Sequence, residues 1–227
     1  MNTTPSSAEL AAELRELAAT LHEFEAEPQV RRSALENLQR VRSLLATGDR
    51  RLRWYEESGG LDTAKTRTRD LSPFSGELNA VAPPMRITVG ENDRGEPALV
   101  GSVNIDRLRE GPPHTVHGGV VAGLFDEILG AAQRLSGGFG GVTGRLVVRY
   151  RKPTPLSDDL EFRAWIHDDR SRRLVMRADC RVGGVVTAES EAVFLRVDFA
   201  GMEQRMRERR AGEVSPTAPR PIIDGRS

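Results

Sequence analysis

Residues 119 to 136, GVVAGLFDEILGAAQRLS, carry only three charged side chains. At 100° per residue Val121, Leu124, Phe125, Ile128, Ala132 and Leu135 fall on one side of a helix. A helix that apolar has to be covered, and the chain around it alternates with a period of two. In RLVMRADCRV, Leu174, Met176, Ala178, Cys180 and Val182 alternate with Arg173, Arg177, Asp179 and Arg181, which predicts a strand with one buried face. MRITVG and PALVGSVNI flank the turn ENDRGE and predict a hairpin. VTGRLVVRYRKP, LEFRAWIHD and VVTAESEAVFLRV supply further strands, with HDDRSRR and Gly183–Gly184 as turns. The expected fold is α+β, an antiparallel sheet with one long helix against it, over residues 85–199.

Two other textures precede that domain. Residues 1–57 read as a helical extension: Ser6 and Glu9 have capping-box spacing, and Leu10, Leu14, Leu17, Leu21 and Phe24 recur at steps of four and three. Pro28 separates a second helix, whose face is Leu35, Leu38, Val41 and Leu45 and whose stop is Gly48. Two short heptads of this kind suit docking or oligomerisation better than independent folding. Residues 58–84, rich in Gly, Ser, Thr and Pro, read as an extended connector over the core. Residues 200–227 read as a mobile tail.

Composition removes several classes of function. Lys+Arg and Asp+Glu both number 33, so nothing electrostatic favours nucleic acid or an anionic membrane surface. No apolar run reaches the ~18 residues that span a bilayer. One cysteine, Cys180, excludes an internal disulfide framework and a Cys-rich zinc site, and the four histidines show no metal-ligand spacing. The start, MNTTPSSAEL, lacks the features of a secretion signal. The expectation is a cytoplasmic protein without metal or cofactor. Cys180, Trp54, Tyr55 and Trp165 are read as packing residues.

The far side of the apolar helix holds the chemistry. Gly119, Ala122, Gly123, Asp126, Gly130 and Gln133 fall there, where a solvated face would carry Lys, Glu and Arg. Glycine within a helix costs roughly 1 kcal/mol relative to alanine. The stripe therefore implies close approach by another backbone or a ligand, leaving Asp126 partly desolvated and suited to act as a base. A wet Asp126 on an exposed face is the competing reading. Glu127 points away from the stripe and is read as solvated. His117-Gly118-Gly119 stands where helix amides lack intrahelical acceptors, so it can bind a phosphate or serve as an oxyanion hole. His117 is either a base or a buried ring that holds the loop.

These residues match a family pattern. VHGGVVAGLFDEILGAA followed by VTGRLVVRYRKPTPL resembles the hotdog-fold acyl-CoA thioesterases, in the branch of the phenylacetate-pathway and thioesterase-superfamily-member-4-like proteins. The shared pattern is His117, Gly118 and Gly119, Asp126 nine positions after the histidine, and a strand ending in Tyr150, Arg151, Lys152 and Pro153. The resemblance covers about residues 72–198. It implies a hotdog fold with the strands around one central helix, hydrolysis of an acyl-CoA to free acid and CoA, and Asp126 as base or nucleophile. It also implies that Thr143 orients the attacking water and that a Gly118 or Gly119 amide holds the carbonyl oxygen.

Helix geometry adds one expectation. Gly119 and Asp126 are seven residues apart, about 10 Å along an axis rising 1.5 Å per residue, whereas oxyanion donors lie about 3 Å from their oxygen. The expected site is therefore shared between two chains of a homodimer or homotetramer. Arg151 and Lys152 are candidates for the CoA phosphates, beside Arg145 and Arg149. Hotdog proteins without catalysis exist, so a non-catalytic acyl-CoA sensor with a helical partner-binding element is the alternative. A hotdog repressor is disfavoured by the acidic balance of residues 1–57, and an enoyl-CoA hydratase by the lack of its Asp-His arrangement.

Overall fold

The computed structural model describes residues 5–49, 69–137, 140–170 and 172–196. Trp54, Tyr55, Gly138, residues 58–68 of the expected connector and the expected tail from residue 200 lie outside the described residues.

Six strands form one antiparallel sheet: β1 (Arg86–Glu91), β2 (Pro97–Asn104), β3 (Gly141–Tyr150), β4 (Asp159–Arg170), β5 (Arg173–Val182) and β6 (Val185–Arg196). Their order is β1-β2-β4-β5-β6-β3, so β1 and β3 are the edges. The alternation in β5 settles its facing, with Leu174, Met176, Ala178 and Cys180 all buried. Gly183 and Gly184 join β5 to β6 with φ of +54° and +80°, the left-handed pair that a two-residue hairpin turn requires. HDDRSRR is shorter as a turn than the sequence suggests. β4 runs on to Arg170 because a register shift between Ile166 and Asp168 absorbs the extra residue as a bulge.

On the inner face of the sheet lies the helix. The N-terminal helices are α1 (Ser7–Glu23) and α2 (Pro28–Leu45), and the apolar helix is α3 (Gly118–Ala132). α3 tightens into a 3₁₀ turn over Gln133–Ser136, which Gly137 closes at φ +71°. Val121, Leu124, Phe125, Ile128, Leu129 and Ala132 are buried against the sheet. Phe125 meets Phe162 of β4 edge to face, with ring centroids 5.1 Å apart.

α1 opens with the capping box: the Ser6 amide donates to Glu9 Oε2 (2.6 Å) and the Glu9 amide to Ser6 Oγ (3.2 Å). It has already stopped at Glu23, and Pro28 opens α2 at a position where its missing N–H costs nothing. Ala8, Ala11, Ala12, Arg15 and Ala19 form the sheltered side of α1. Arg15 donates to the Asn79 carbonyl (2.9 Å), and α1 contacts the short 3₁₀ turn Arg107–Arg109. The leucine side of α1 is left uncovered, and α2 has no buried residue at all.

On the outer face, Arg181 grips Asp179 (2.8 Å) and Asp93 (2.5 Å), and Arg163 reaches Asp93 (2.9 Å) and Glu161 (2.6 Å). This network ties the β1–β2 turn to β4 and β5. The Arg181 guanidinium beside it holds the Asp93 carboxyl below the usual carboxylate range.

Candidate active site

The site begins at Thr143, near the start of edge strand β3. Strict alternation would put Thr143 on the outer face with Arg145, Val147 and Arg149. The register shifts instead between Thr143 and Arg145, so Gly144 is the extra residue of a bulge. Thr143 pairs with Phe194, Leu146 with Ala192 and Val148 with Ser190, all buried on β6. Thr143 is thereby turned to the α3 side. There its Oγ1 donates to Asp126 Oδ1 at 2.8 Å. The structure brings these two candidates together, and the glycine inside an otherwise regular strand was the signal for how.

Asp126 itself is exposed in the single chain, so the desolvation expected from the glycine stripe is not found within one copy. The stripe is also less open than its composition suggests. The ring of Phe74 occupies the space beside Gly123, where an added Cβ would lie 2.0 Å from the ring tip. Gln133 is buried, accepting from the Gly141 amide at 2.9 Å. Of the glycines on this side of α3, Gly130 is the one where an added Cβ would meet nothing within 4 Å. Glu127 departs from the solvated reading: it is half-buried and accepts a short hydrogen bond from the Ser75 hydroxyl. Phe74 and Ser75 thus fasten the segment before β1 onto α3, contacts that helical spacing alone gave no reason to expect.

At the other end of α3, the loop 110–117 sets the helix start. The Val116 amide donates to the Thr154 carbonyl and the His117 amide to the Arg109 carbonyl, both at 2.8 Å. His114 holds a left-handed backbone, φ +60°, within this loop. His117 is the N-cap: its Nδ1 accepts from the Gly119 amide at 3.0 Å. In the single chain the Gly119 amide is therefore taken by the imidazole. The Val120 and Val121 amides return to the His117 carbonyl. Gly118 is left as the first-turn residue whose amide meets no acceptor among the described residues. Tyr150 Oη donates to the Gly118 carbonyl at 2.7 Å, tying the end of β3 to the start of α3.

The two groups, Asp126–Thr143 and Gly118–Tyr150, sit eight residues apart on α3, about 12 Å along its axis. One copy does not bring them to the same atom. Arg151 is ion-paired with Glu189 of β6 at 2.6 Å, both side chains half-exposed. Lys152 is exposed beside it, its amide donating to the Thr187 carbonyl at 3.0 Å and its side chain without a partner among the described residues. Among the described residues no cluster of His, Cys, Asp and Glu has the form of a metal site. No helix among them is long and apolar enough to cross a membrane.

Comparison with known proteins fits this geometry. The family model described as Thioesterase superfamily matches residues 114–189, the stretch that holds the HGG turn, α3, β3 and β5. A solved thioesterase superfamily protein is 26% identical, with a TM-score of 0.68 over 85% of this chain and 92% of its own. The fold is a hotdog. Other solved hotdog-like neighbours include the PaaI protein of the phenylacetic acid degradation operon of E. coli (15% identity, TM-score 0.44, 51% of this chain and 80% of that one). Thioesterase superfamily member 2 of Mus musculus is a further neighbour (16%, TM-score 0.43, 50% and 88%). No curated protein matches the chain in sequence.

Proposed function

We propose that the protein is an acyl-CoA thioesterase whose site is completed by a second copy of the chain. The observation that carries the reading is the 2.8 Å hydrogen bond from Thr143 to Asp126, with the free Gly118 amide about 12 Å away along α3. Among the described residues β3 is an edge of the sheet, and an exposed edge strand pairs readily with another strand. Two β3 strands paired antiparallel about a two-fold set the Asp126–Thr143 end of one chain against the Gly118–Tyr150 end of the other. Asp126, exposed in one chain, is then covered by its partner.

In that setting the thioester carbonyl oxygen accepts from the Gly118 amide of one chain, where the α3 dipole favours developing negative charge. Thr143 and Asp126 of the other chain hold a water. Asp126 takes its proton as the oxygen adds to the carbonyl carbon. Collapse of the tetrahedral adduct breaks the C–S bond, and the proton passes to the departing thiolate. The products are a free acid and CoA. Direct attack by Asp126, with a mixed anhydride that water then opens, uses the same positions. Arg151 and Lys152 are assigned to the CoA phosphates, Arg151 at the expense of its exchange with Glu189.

A thiol-release assay over acyl-CoAs of varied chain length and aromatic character tests this. Wild type releases CoA from at least one of them, and Asp126→Asn loses about 10²–10⁴-fold in turnover with its melting temperature unchanged. Thermal stabilisation by acyl-CoA without thiol release in wild type would assign the protein to the sensor class instead.

A further inference from the structure

α1 presents two unlike sides. The alanine side lies against the hotdog domain, while Leu14, Leu17 and Leu21 on the other side remain uncovered, Leu21 at 76% exposure. α2 repeats this without any sheltered side: Leu35, Leu38 and Val41 are exposed, and no residue of the helix is buried. An isolated helix of this length is marginal in water unless an apolar face is packed. The helices are also opposite in charge. α1 carries four glutamates and one arginine, and α2 four arginines and one glutamate.

We propose that α1 and α2 dock onto a second copy of this chain, each α1 lying along the partner's α2. The inference goes beyond the catalytic reading and does not depend on it. Pairing like with like, α1 on α1 or α2 on α2, brings together two helices of the same net charge. Pairing α1 with α2 joins acidic to basic and buries a leucine stripe on both sides. One chain does not use its own α2 in this way, since the leucine face of its α1 is open. A two-fold axis between two copies forms both α1–α2 contacts at once, which closes the assembly. α1 sits beside the segment that leads into β1, at the edge of the sheet opposite β3. The helical interface is therefore separate from β3 pairing, and the two together give a tetramer.

The test uses the full chain and reads assembly mass by sedimentation at low salt. The triple variant Glu13→Arg/Glu16→Arg/Glu23→Arg inverts the charge of α1, and Arg31→Glu/Arg40→Glu/Arg42→Glu inverts that of α2. Each triple variant alone is expected to have half the wild-type mass. An equimolar mixture of the two regains it, because each repulsive helix then meets its complement in the other chain. The six-fold variant also keeps the wild-type mass, which excludes misfolding as the cause of the losses. A monomeric wild type, triple variants of unchanged mass, or a mixture and six-fold variant that stay at half mass would each overturn the proposal. Triple variants of unchanged mass are the mark of α2 closing onto its own α1 or of a different protein covering both.

Discussion

α3 and the α1–α2 pair are all leucine-bearing amphipathic helices, yet the protein treats them in opposite ways. α3 turns its apolar side into the sheet, where Leu124, Phe125 and Ile128 reach zero exposure. α1 turns alanines inward and leucines outward, and α2 turns nothing inward. The difference is one of available surface. The inner face of a six-stranded sheet is wide enough to take one helix, and α3 occupies it. Of the N-terminal helices, α1 meets only the rim of the domain, through its small side chains and Arg15, and α2 has no buried residue. An apolar stripe thus marks a surface that will be covered without saying by what.

The contrast breaks most directly under the same substitution on each helix. Leu124→Ala on α3 is expected to cost about 2–5 kcal/mol, the range for a buried leucine whose site cannot fully collapse. Leu21→Ala on α1 is expected to change the stability of the hotdog domain by less than about 0.5 kcal/mol. Urea unfolding at a dilution where the chains are dissociated measures both. Equal costs would mean that the α1 leucines pack within their own chain.

Gly123→Ala sharpens the description of the α3 far side. The new methyl collides with Phe74, and displacing that ring is expected to cost about 1–3 kcal/mol. Phe74→Leu in the same chain returns part of the loss, read as thermal stability. Gly130→Ala, where nothing lies within 4 Å, is neutral or stabilising by up to about 1 kcal/mol. If both alanines behave alike, Phe74 does not cover Gly123.

Deleting Gly144 removes the bulge and returns Thr143 to the outer face of β3. Turnover of an acyl-CoA is expected to fall about tenfold, the equivalent of one positioning hydrogen bond of ~1.4 kcal/mol. Thr143→Val falls by a similar factor, and combining it with the deletion adds little. Additive losses would separate the bulge from the role of Thr143.

The smallest effect concerns the inner face of the sheet, the surface that α1 and α2 lack. Burial pushes the Cys180 thiol from about 9 up to about 12. Above pH 9 the unfolded chain releases this proton and the folded chain does not, so stability falls as pH rises from about 9 through about 12. Cys180→Ala is expected to show a shallower alkaline decline in urea midpoint, and the native thiol to resist alkylation at pH 8. Parallel declines would place Cys180 in a wetter setting.

The elements were largely legible in the sequence because period and punctuation are local. Leu174 to Val182 alternate, Ser6 and Glu9 cap, and Gly183–Gly184 turn, each for reasons that involve only neighbours. Asp126 and Thr143 were singled out by a family resemblance, while their hydrogen bond and the device that achieves it were not legible. A bulge at Gly144 depends on how β3 lies against β6. The hydrogen-bond partners of Gly119 and Glu127 were not legible for a related reason. Helical spacing placed them on their faces, but their partners came from His117 two residues before and Ser75 in a distant segment.

By itself, then, the sequence determined which stretches become strands and helices and which side of each is apolar, since backbone sterics and side-chain periodicity act within a few residues. Only the tertiary structure decided what each apolar or glycine-lined side meets: the sheet for α3, Phe74 for Gly123, the imidazole of His117 for the Gly119 amide, and open surface for the leucines of α1 and α2. Burial is a property of two surfaces brought together, and the second surface is written elsewhere in the chain.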